Sequence, residues 1–274
     1  MWVVDPWLTV VAALFGGILG SFLNVCVYRL PRDESVVRPR SRCPKCATMI
    51  AWYDNVPVLS WLALGGRCRK CKEPISPIYP LVELTIALVW AAAAARFGAT
   101  PQAFSAALFV TLLVGILLTD AQHFIIPDEF SLGGLGAGLA LSLVTDLGIA
   151  RSALGAAAGF ALLGSVKFAG DSALKRGWIG GQAVTETLGQ DEPVSSMGMG
   201  DLKMLAMIGA FLGWQGVLAS VFLGALAGTL VYLPFLFRKT KPLVPFGIYL
   251  AMGALVALAF GNRLVAWYVS VLGS

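Results

Sequence analysis

Eight apolar stretches follow one another along this chain, at about 7–29, 79–97, 104–126, 131–149, 152–170, 200–214, 216–237 and 247–271. Most of them approach the roughly 20 residues that a helix needs to cross a hydrocarbon core. Long uninterrupted runs of this kind can satisfy their backbone in lipid only as helices. Composition agrees, with 58% hydrophobic and 13% charged residues and a mean hydropathy of +0.80. Soluble domains sit near about 45–50% and about 25%. The expected fold is therefore an all-α integral membrane protein of about eight transmembrane helices. The sixth stretch is short and rich in glycine and methionine, so its ends are the least defined.

The net charge of +5 would suit a nucleic-acid binder, but its distribution reports topology instead. Nine Lys or Arg residues fall between Arg32 and Lys72, opposed by Asp33, Glu34, Asp54 and Glu73. Basic residues beside spanning helices mark the cytoplasmic side. Lys175 and Arg176 after the fifth stretch, and Arg238, Lys239 and Lys241 after the seventh, continue the pattern, with Arg96 and Arg151 as exceptions. Both termini then face outward. Met1 to Asp5 lacks a basic n-region and the first apolar run is too long for a signal core, so it reads as a retained helix. Gly16, Gly17, Gly20 and Ser21 form its small-residue packing seam. Asn24 needs a polar partner at that depth.

The one substantial polar segment, residues 31–78, carries Cys43-Pro44-Lys45-Cys46 and Cys68-Arg69-Lys70-Cys71. Two such knuckles read as a four-thiolate zinc site, Cys43, Cys46, Cys68 and Cys71. The alternative is a pair of disulfides, which a reducing cytosol disfavours. Four sulfur ligands leave no open position for water, so the metal is structural. Cys26, within the first stretch, is a packing residue. The loop between the knuckles, with Asn55, Gly65, Gly66 and Arg67, is too short to hold a core of its own and reads as a scaffold on spacing alone.

The apolar runs carry few charges, and two acids at the ends of such runs are conspicuous. Asp120 ends the run from Val110, and Asp201 opens the sixth stretch in Gly198-Met199-Gly200-Asp201-Leu202-Lys203. Acids at membrane depth are costly and by default functional. The charge map places both at the cytoplasmic face, where two carboxylates can share a proton and activate water. Gly198 and Gly200 are expected to permit a turn and the close approach of a substrate strand. Asp128, after Pro127, reads as a cap of the next helix. Lys203 either pairs with an acid or snorkels to the interface. Glu83, just inside the second stretch, either pairs with a nearby cation or faces a ligand. His123 is the only histidine and has no metal-binding pattern around it. A proton- or cation-coupled transporter would use the same acids, but would need them spread through the membrane depth.

On Gly20-Ser21-Phe22-Leu23-Asn24-Val25, Pro39-Arg40-Ser41-Arg42-Cys43-Pro44-Lys45-Cys46, Asn55-Val56-Pro57-Val58-Leu59-Ser60-Trp61, Tyr79-Pro80-Leu81-Val82-Glu83, Ile126-Pro127-Asp128 and Gly198-x-Gly200-Asp201-x-Lys203, the chain resembles the bacterial prepilin peptidases. These are the leader peptidase/N-methyltransferases of type IV pilus and type II secretion systems. The resemblance implies aspartyl cleavage of prepilin and pseudopilin leaders by Asp120 and Asp201 at the cytoplasmic face of the bacterial inner membrane. It also implies methylation of the new N-terminus with S-adenosylmethionine as donor. It implies three regions: 1–30, a first transmembrane helix; 31–78, a cytoplasmic zinc domain tied to methylation; and 79–274, a membrane peptidase domain. Glu83, Asn55 and Arg67 are the candidates for the methyl-donor side, and Gly198, Gly200, Lys203 and Asp128 support the acids. The polar segment from Asp171 to Met197 is longer than the family pattern and reads as a loop insertion or a flap.

Overall fold

The computed structural model describes residues 5–176, 195–236 and 246–272, and among these the expected apolar stretches are helical and no strand forms. The helices are α1 (Pro6–Arg29), α2 (Leu59–Ala63), α3 (Ile78–Phe97), α4 (Pro101–His123), α5 (Asp128–Leu141), α6 (Ile149–Lys175), α7 (Met199–Leu236) and α8 (Phe246–Leu272). By length and composition, α1, α3, α4, α6 and α7 can cross a membrane, and Phe246–Gly261 of α8 is a shorter apolar helix. Two expectations are redrawn. The fourth stretch leaves the helix after Leu141 through a tightened last turn. The sixth and seventh join into α7, broken only at Gly213, whose φ of 71° and ψ of 179° few side chains tolerate. Arg238, Lys239 and Lys241 lie outside the described residues, as does the middle of the 171–197 segment.

The chain divides into two compact units, Met1–Pro127 and Asp128–Ser274. In the first, Asp5 caps α1 by accepting the N–H groups of Trp7 and Leu8, and Pro6 fills the first helical position. The seam on α1 packs against α3 as expected. A Cβ on Gly16 would lie 2.8 Å from the Ile86 carbonyl, and one on Gly20 would lie 2.8 Å from the Glu83 Cα. Asn24 finds its partner there too, donating to the Tyr79 carbonyl at 3.1 Å. Trp90 ties three helices together. Its ring meets Phe15 of α1 and Phe104 of α4 edge-on, and its indole N–H donates to Thr111.

Backbone contact also organises the second unit. A Cβ at Gly155 or Gly159 of α6 would strike the α7 backbone, and one at Gly209 would strike Gly155 in return. Gly224 and Gly253 bring α7 and α8 together in the same manner. Ser152 of α6 donates to the Ala210 carbonyl across the first seam at 2.7 Å.

Candidate functional site

The cysteine segment is built twice from one pattern. Arg42-Cys43-x-Lys45-Cys46 recurs 25 residues later as Arg67-Cys68-x-Lys70-Cys71, and the local folds repeat with it. In the first copy Cys43 N–H donates to Thr48, Ala47 turns at φ 56°, and Arg42 bridges Met49. In the second, Cys68 N–H donates to Glu73, Lys72 turns at φ 59°, and Arg67 bridges Pro74. This repeat is visible in the sequence as a fixed offset, although the knuckle spacing alone does not show it.

The four sulfurs lie within 4.8 Å of one another, and none is disulfide-bonded. Cys43 and Cys71 Sγ are 3.7 Å apart. A metal with bonds of about 2.3 Å to four tetrahedral sulfurs has edges of about 3.8 Å. The knuckles favour thiolates: the Thr48 hydroxyl and N–H draw the Cys46 thiol down to about 6, and the N–H groups of Cys71 and Lys70 lower Cys68. At Cys71 the Glu73 N–H works in the same direction. Desolvation and the neighbouring thiols outweigh it, pushing Cys71 up to about 12. Four close thiolates need a cation among them, and the cluster is fit to hold a metal ion. Beside it, Arg69 grips Asp54 through two hydrogen bonds of 2.8 and 2.6 Å and holds that carboxyl below its ordinary range.

Glu83 is engaged with the main chain. Its carboxylate accepts the Val58 N–H at 2.7 Å, pinning the inter-knuckle loop onto α3. Val58 sits at φ 61°, a region that β-branched residues avoid. Asn55 ends the turn Trp52–Asn55 and borders a cavity of about 350 Å³. Arg67 lies in the second knuckle, away from that cavity's lining.

Asp120 belongs to the first unit. It is 5% exposed in the last turn of α4, which ends when Phe124 turns left-handed and donates its N–H to the Asp120 carbonyl. Asp201 belongs to the second unit, in the first turn of α7. Neither Gly198 nor Gly200 takes a positive φ. A Cβ at Gly198 would stand 3.5 Å from the Asp201 carboxylate, an ordinary van der Waals contact. Lys203 is paired: its ammonium reaches Asp128 at the start of α5.

Just upstream, the chain entering Gly198 is stapled to α6. Asp171 accepts hydrogen bonds from the Ser196 N–H at 2.7 Å, the Ser196 hydroxyl at 2.8 Å and the Ser195 hydroxyl at 3.3 Å. Lys167 pairs with Asp171 and donates to the Met197 carbonyl and to Ser195. These residues were missed in the sequence. The only signal for them was an i,i+4 Lys–Asp pair near the end of an apolar helix.

Two family models match the chain: the Bacterial Peptidase A24 N-terminal domain over residues 14–97, and the Type IV leader peptidase family over residues 107–233. Three similar proteins bear the name prepilin leader peptidase/N-methyltransferase. The Myxococcus xanthus protein is 39% identical over 82% of this chain, which spans 62% of that protein's length. The Aeromonas hydrophila protein is 34% identical over 97% of this chain and 95% of its own length. The Bacillus subtilis protein is 33% identical over 94% of this chain and 96% of its own. No solved structure matches.

Proposed function

The chain belongs to the type IV leader peptidase family, and from that premise we propose that it is a multi-pass inner-membrane enzyme with two successive activities. It cuts the leader from prepilins and pseudopilins, then methylates the new N-terminus. The observation that carries this reading is that the family match over 107–233 contains both Asp120 and Asp201, each at the end of an apolar helix.

In the proposed cleavage step, one of these carboxylates takes a proton from water as it attacks the scissile carbonyl. Its protonated partner donates to the carbonyl oxygen or the leaving amine. Gly198 leaves room for the peptide beside Asp201, while Asp128, Lys203 and the Asp171 staple fix the start of α7. The excess of Lys and Arg between Arg32 and Lys72 supports a cytoplasmic side for this chemistry and for the cysteine segment.

Zinc suits the donor set of four cysteines, and its role there is to hold the 41–75 segment in shape. S-adenosylmethionine supplies the methyl group. Glu83 serves that half of the enzyme by fixing the loop that carries Asn55, and Arg67 serves it as part of the second knuckle.

The test is co-expression with a prepilin, followed by mass spectrometry of the pilin. The wild type should give loss of the leader plus the mass of about one methyl group. Asp120→Asn and Asp201→Asn should each leave the precursor intact while inserting normally. Full processing by either variant rules out the paired acids.

A further inference from the structure

Three of the sequence motifs that carry the family resemblance contain no acid of the cleavage pair: 20–25 on α1, 39–46 at the first knuckle, and 55–61 between the knuckles. In the fold they meet. Ser21 and Phe22 from the first, Arg40 and Ser41 from the second, and Asn55 from the third line a single cavity of about 350 Å³, joined by Trp52. The cavity lies wholly within the first unit.

From this convergence we infer that the cavity is the seat of the methyl donor, S-adenosylmethionine. The inference rests on the two-activity reading above. A volume near 350 Å³ is at the lower end for small-molecule sites.

The lining has the chemistry of an amino-acid nucleoside. No acid borders the cavity, and Arg40 brings an exposed guanidinium, the geometry that takes a carboxylate in a two-point bond. Arg29 also borders it, but its guanidinium is buried and donates to the Ser35 and Pro39 carbonyls. It therefore shapes the wall that presents Arg40. Trp52 is 74% exposed and Phe22 49% exposed, leaving aromatic faces for the adenine and for the sulfonium charge. The Asn55 amide and the Ser21 and Ser41 hydroxyls supply donors and acceptors for the base and ribose. The Glu83–Val58 bond fixes the loop just beyond Asn55 and holds this side of the cavity in register.

The transfer balances with nothing further. The neutral N-terminal amine attacks the S-methyl carbon and the C–S bond breaks. Its electron pair returns to sulfur as the neutral thioether of S-adenosylhomocysteine, and the methylated ammonium gives a proton to water.

The test uses the full chain in nanodiscs, with equilibrium binding of radiolabelled S-adenosylmethionine. Arg40→Ala and Trp52→Ala should each weaken binding by about tenfold or more, as loss of a charge-assisted bond or a stacking face requires. Arg40→Lys should recover part of it. Zinc stoichiometry reports that each variant is folded. Photo-crosslinking of the labelled donor to the wild type should mark peptides within 18–29 or 36–57.

Wild-type affinity in zinc-replete variants, or labelling elsewhere, overturns the assignment. If the wild type methylates a prepilin while the variants bind normally, the cavity assignment alone fails. If the wild type neither binds the donor nor transfers methyl, the two-activity reading falls and takes the cavity with it.

Discussion

Lys203 sets its ammonium between both carboxylate oxygens of Asp128, at 2.7 and 2.8 Å, joining the first turn of α7 to the start of α5. The Asp128 side chain is 55% exposed, so the pair contributes only about 0–1 kcal/mol to stability. Its value is positional, because Asp201 sits two residues away. Lys203→Met should leave the thermal transition of the purified protein nearly unchanged and slow leader cleavage several-fold, with Lys203→Arg restoring most of the rate. Equal rates for wild type and Lys203→Met in a purified cleavage assay would remove this role.

The Asp171 staple predicts a graded series. Asparagine keeps an acceptor for Ser196 but loses the charge that Lys167 pairs with, whereas alanine loses both. Cleavage should fall in the order wild type, Asp171→Asn, Asp171→Ala. Limited proteolysis around residue 195 should rise in the same order.

The loop held by Glu83 offers two opposite substitutions. Glu83→Ala leaves the Val58 N–H without its acceptor and should cost about 1–3 kcal/mol, while Glu83→Gln retains one. Val58→Gly removes a β-branched side chain from φ 61° and should raise stability despite the entropy lost on folding glycine. Chemical denaturation in detergent distinguishes the signs, and a destabilised Val58→Gly would contradict the strain argument.

At the α6–α7 seam, Gly155→Ala forces a methyl group into the α7 backbone. The cost should reach about 1–3 kcal/mol or more, as for overpacking. Gly136→Ala, where a Cβ meets nothing within 4 Å, is the matched control and should be nearly neutral. Comparable thermal shifts for the two would argue against direct backbone contact.

Metal removal should act on the cysteine segment as a whole. A strong chelator, or Cys43→Ser, is expected to open residues 41–75 to hydrogen exchange while the helical content of the membrane segments persists. An unchanged exchange pattern after complete metal loss would show that the repeated knuckles stand without the ion.

Much of this was legible because it depends on local pattern. The knuckles announce a thiolate cluster, and Asp120 and Asp201 stand out against apolar neighbours. What escaped depends on pairing across long separations. Nothing around Asp171 shows that Ser195 and Ser196 return to it, because the segment between reads only as polar. Glu83 was read as pairing with a cation or facing a ligand, while the contact it makes is with a main-chain N–H, a donor that every non-proline residue carries. Gly155 and Gly209 looked like ordinary small residues until their backbones met.

The duplicated knuckle has a consequence for how the protein is made. Each copy brings two of the four sulfurs, so the first copy alone offers an ion half a site. The four-sulfur set is complete only once Cys71 has been made, seven residues ahead of the start of α3 at Ile78.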